Sequence, residues 1–74
     1  MTKPLDEELL AAHARDDKTA LVLLYREAAD LAEETGDIDA ACFFLVHAYI
    51  FGLETAHPET PELHARLKAR GRES

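Results

Sequence analysis

The run Ala-Ala-Cys-Phe-Phe-Leu-Val-His-Ala-Tyr-Ile-Phe-Gly-Leu, residues 40 to 53, is almost unbroken in apolar character and holds four of the chain's five aromatic residues. A helix that is apolar on every side has to be covered on every side. The flanking segments of a 74-residue chain are short for that task, so a second chain is the expected source of the missing cover. At this size a single hydrophobic core supplies only about 3–5 kcal/mol unless a disulfide, a metal or a partner chain supports it. Cys42 is the sole cysteine, which excludes an intrachain disulfide, and its place in the apolar run makes it a small buried hydrophobe rather than a redox centre.

Lys3 is the only basic residue near the start and no apolar signal segment follows it, so the expected location is intracellular, in the cytoplasm. The central run falls short of the roughly 18 apolar residues that span a bilayer. It also contains His47, so it reads as a buried helix and no membrane partner is expected. Net charge is −7 and unevenly spread: residues 1 to 62 hold 14 acids against 4 Lys and Arg, residues 63 to 74 hold 1 acid against 4. An acidic body repels phosphates, which disfavours nucleic-acid binding. Arg66, Lys68, Arg70 and Arg72 gather near an expected helix C-terminus, where the macrodipole favours cations.

Ala, Leu, Glu and Arg are abundant and alternating β-branched stretches are absent, so the fold class is all-α, one domain over residues 1 to 74. Pro4 suits a first helical turn, and Leu5, Leu9, Leu10 and His13 share a face of a short helix over residues 5 to 14. Asp16 or Asp17 caps a second helix over residues 18 to 35, which carries Leu21, Leu24, Tyr25, Ala28, Leu31 and Ala32 on one stripe. Gly36 fits the left-handed position that ends a helix and Asp37 caps the next, giving a tight antiparallel hairpin. The third helix, over residues 37 to 56, stops because Pro58 disfavours helical geometry at His57. Thr60 and Pro61 read as the cap and first turn of a last helix over residues 61 to 70, docked by Leu63 and Leu67.

The segment from 22 to 55 has about the length of one unit in the 34-residue repeat families. It resembles a tetratricopeptide repeat: Tyr25 matches the bulky aromatic of the first helix, Ala28 and Ala29 the hydrophobic-small pair, and Gly36 the inter-helix glycine. In the second helix Ala41 and Ala48 stand where the family has small residues and Leu45 where it has a large apolar one. Ala32 departs from the family's usual Tyr, and its closing proline comes late, at Pro58. The resemblance implies an antiparallel hairpin packed through Tyr25, Ala29, Ala41, Leu45 and Ala48, and a role in binding protein or peptide. One unit covers less than half of the chain, whereas such arrays need about three to bury a continuous core, so neighbours must come from the flanking helices or a second copy.

Chemistry-bearing residues are present without the spacing that chemistry needs. Two ligands on one helix share a face at i, i+3 or i, i+4, but Cys42 and His47 are five apart, and His57 and His64 lie across Pro58 and Pro61. The three glycines fall singly, and no phosphate-cradling loop or nucleophile triad is present. The expectation is a non-enzymatic protein without cofactor or metal. The interface candidates are Phe43, Phe44, Tyr49, Ile50 and Phe51, together with Gly52, where a mid-helix glycine costs about 1 kcal/mol against alanine and so implies a close neighbour, in this chain or the partner chain. The partner is another protein or a second copy of the chain. The competing reading is a small acidic antagonist of a basic partner.

Overall fold

A computed structural model of the chain describes residues 4–71. It contains four helices, α1 (Leu5–Arg15), α2 (Lys18–Glu34), α3 (Ile38–Thr55) and α4 (Thr60–Ala69), and no strand among the described residues. Helix ends follow local chemistry. Asp6, Glu7 and Glu8 occupy the first turn of α1, where carboxylates oppose the positive end of the macrodipole. Of the two aspartates that could cap α2, Asp17 does so, accepting from the Ala20 N–H at 3.1 Å. Asp16 instead closes α1 in the left-handed conformation, at φ 55.

Gly36 takes φ 79, and Asp37 starts α3 by accepting from the Ala40 N–H at 3.1 Å. At the far end of α3 the same left-handed closure falls on Ala56, at φ 52, where a Cβ is a steric liability of about 1 kcal/mol. Thr60 does not act as the expected cap. The residue before α4 is Glu59, whose N–H is taken by the ring Nδ1 of His57 at 3.1 Å. The Thr60 side chain turns inward against Gly52, and its buried hydroxyl has no hydrogen-bond partner.

Helices α2 and α3 form the antiparallel hairpin. Its open end is tied by Lys18 Nζ, which donates to Glu54 at 2.8 Å. Small residues make the crossing close: Ala29, Ala41 and Ala48 are fully buried with Val22 and Leu45. Helix α4 folds back so that Leu63 and Leu67 complete this core. Its outer edge is fastened to α2 by ions: Arg66 reaches Asp30 at 2.7 Å and Glu33 at 2.8 Å, and Arg70 reaches the other Glu33 oxygen at 3.0 Å. Arg26 pairs with Glu59 at the other end. Arg66 and Arg70 are therefore partners of α2 carboxylates as well as cations near a helix end, while Arg72 lies outside the described residues.

Helix α1 packs on α2, though not by the whole expected face. Ala12 is its buried residue, with Leu5 and Leu9 half-buried on the same side, whereas Leu10 is 70% exposed. The face is centred on positions 5, 9 and 12 because a small alanine allows the closest approach of the two backbones. Leu31, expected on the inner stripe of α2, is about half exposed, and Val22 and Ala29 take the inner positions.

Candidate functional site

Among the described residues, helix α3 is covered on one side only. Ala41, Leu45 and Ala48 are sealed against the hairpin, while on the opposite side Phe43 is 57% exposed, Val46 37%, Ile50 47% and Leu53 58%. These four follow one another by three, four and three residues, so they form a continuous apolar strip along nearly three turns of helix. Single exposed leucines elsewhere, such as Leu10 and Leu23, have no such continuity and are ordinary surface.

The strip has defined borders. Toward α2 stand His47 and Glu54; the His47 Nδ1–H donates to the Phe43 carbonyl at 2.9 Å, and its ring lies 4.4 Å from the Phe43 ring between centroids. Toward α4 stand Cys42, which is buried, and Tyr49, whose ring stacks on His64 at 5.4 Å. A shallow hollow of about 430 Å³ opens at the N-terminal end of the strip between Asp39, Cys42, Phe43, Val46 and His47.

The six expected interface residues therefore divide. Phe43 and Ile50 lie on the strip. Phe44 and Phe51 are half-buried and turn toward Tyr25, with ring centroids 6.2 and 6.0 Å away, and Tyr49 serves the α3–α4 contact. Gly52 is buried within the chain: a Cβ there would come within 2.5 Å of Thr60 Oγ1, so its close neighbour is α4 and not a partner helix. Choosing by ring size passes over Val46 and Leu53. The 3-4-3 spacing of 43, 46, 50 and 53 was the signal that finds them.

His13 Nε2 and the Tyr25 hydroxyl are hydrogen-bonded at 2.9 Å, joining α1 to the hairpin. No group of three or more His, Cys, Asp or Glu among the described residues is arranged to hold a metal ion. The displaced proton affinities lie in the ion pairs that join helices. The hydrogen bond from Arg70, with the charge of Arg66, holds the Glu33 carboxyl below its ordinary range. Burial would lower Arg66, but Asp30 and Glu33 outweigh it and raise it. Lys18 is raised by its bond to Glu54. None of these groups is on the apolar strip.

By length and composition α3 is apolar enough to cross a membrane. Comparison of the chain with family models, with curated proteins and with solved structures finds no match.

Proposed function

We propose that this protein is a small non-enzymatic protein–protein interaction module that self-associates through the outer face of α3. The observation that carries the reading is the strip itself: four large apolar side chains, each more than a third exposed, in unbroken helical succession. The hairpin has the small-residue crossing that first drew comparison with a tetratricopeptide unit, and in this reading the protein works as an adaptor or structural piece of that kind. At their fractional exposures the four side chains offer roughly 400 Å² of apolar surface per chain, near the low end of specific interfaces once a polar rim is added. The expected dimer is accordingly weak, with a dissociation constant of order micromolar. Light scattering over a dilution series tests this: mass rising from one chain to two with concentration supports it, and a single-chain mass up to about millimolar overturns it.

The second reading, an acidic antagonist of a basic partner, draws on the exposed carboxylates of Asp6, Glu7, Glu27 and Glu34. Binding of that kind weakens steeply with salt, and packing of an uncharged strip does not.

A further inference from the structure

The spacing of the strip fixes how two copies can meet. Apolar residues alternating by three and four are the seam of a helix pair, in which each side chain enters a gap between side chains of the facing helix. Seen down α3, the strip drifts slightly around the axis, as a straight helix does by about 20° per heptad, so two such strips align when the helices cross at about +20°.

Resting on the self-association proposed above, we infer that the strip is occupied by α3 of a second copy of this chain, antiparallel, about a two-fold axis beside position 48. Phe43 then faces the partner's Leu53, and Val46 faces the partner's Ile50. Both pairs are centred on 48, so one axis satisfies the whole strip, as an isologous dimer requires. The layers are even in size, one Phe with one Leu and one Val with one Ile. A parallel pair would instead stack Phe43 on the partner's Phe43 in one layer and leave Val46 with the partner's Val46 in another, which is uneven filling.

Electrostatics favour the same orientation. Antiparallel helices oppose their macrodipoles, whereas parallel ones set like ends together. A parallel dimer also brings Asp39 beside the partner's Asp39 and Glu54 beside the partner's Glu54. In the antiparallel dimer the two copies of Asp39 lie at opposite ends, as do the two copies of Glu54, and the end of α3 bearing Asp39 comes to the end where Lys18 donates to Glu54 at 2.8 Å. The strip between Phe43 and Leu53 carries no charge on its own line, so apolar contact sets the register and the ends set the direction.

The test uses disulfide trapping of the full chain in a Cys42→Ala background, with Phe43→Cys and Leu53→Cys chains oxidised separately and mixed. Antiparallel pairing gives the crosslinked dimer chiefly in the mixture, because like positions then sit about 15 Å apart along the axis. Parallel pairing gives it in each chain alone and overturns the inference. Val46→Cys mixed with Ile50→Cys, the other facing pair of the strip, gives a second reading if either of the first variants folds poorly: the mixture crosslinks in the antiparallel dimer. A two-chain mass without any of these crosslinks overturns the orientation but leaves self-association standing, while a one-chain mass overturns both.

Discussion

The hydroxyl oxygen of Thr60 lies 2.5 Å from where a Cβ on Gly52 would stand, so the glycine in the middle of the apolar helix exists to admit the first turn of α4. Gly52→Ala gains helix propensity of about 1 kcal/mol but forces Thr60 aside, and overpacking of this kind costs roughly 1–3 kcal/mol. The expected result is a net loss of stability in chemical denaturation. In a Thr60→Ala background, where the obstructing oxygen is gone, the same substitution is neutral or stabilising. Equal effects in both backgrounds contradict the account of Gly52.

Ala56 ends α3 in the left-handed conformation at φ 52. Glycine carries no Cβ penalty there, so Ala56→Gly is expected to raise stability by about 0.5–1 kcal/mol, measured as an upward shift of the urea midpoint with unchanged slope.

Glu33 joins α2 to both Arg66 and Arg70. Its folded proton affinity is depressed, so the stability it contributes is complete above the ordinary carboxylate value of 4.5 and is lost as pH falls through the lower folded value. An acid titration of unfolding should show this loss, and Glu33→Gln should flatten it while lowering stability at neutral pH by about 1 kcal/mol or less, as fits a partly exposed ion network.

Leu45 and Phe43 are two residues apart on α3 but on opposite sides of it. Leu45→Ala leaves a cavity in a sealed core and is expected to cost about 2–5 kcal/mol, comparable to the whole stability of a domain this small. Phe43→Ala should leave the helical circular dichroism and the urea midpoint of dilute protein within about 1 kcal/mol of the parent, and weaken association. A reversal of these two effects removes the assignment of the faces.

Much of this architecture could be read from the residues because helix ends are local matters. Gly36, Asp37 and Pro58 each act on their immediate neighbours, and they set the hairpin and the length of α3 with no knowledge of packing. The inner face of α1 and the role of Thr60 were less legible, since both depend on which helix approaches and how closely. Leu10 and Leu9 are equally apolar, and only the contact at Ala12 chooses between them. Size marks the aromatic residues of α3 for an interface, yet three of the four, Phe44, Tyr49 and Phe51, turn toward α2 or α4. Their direction is settled by Tyr25 and His64, which lie far away in sequence.

In the proposed assembly the uncharged face of α3 joins two chains. Sedimentation equilibrium at low and high salt, on the parent and on Ile50→Glu, tests it most directly. The expected result is a monomer–dimer equilibrium that persists or strengthens with added salt, as repulsion between two acidic bodies is screened, and that Ile50→Glu abolishes without loss of helical content. A parent that stays monomeric at every concentration, or an Ile50→Glu variant that dimerises as well as the parent, contradicts it.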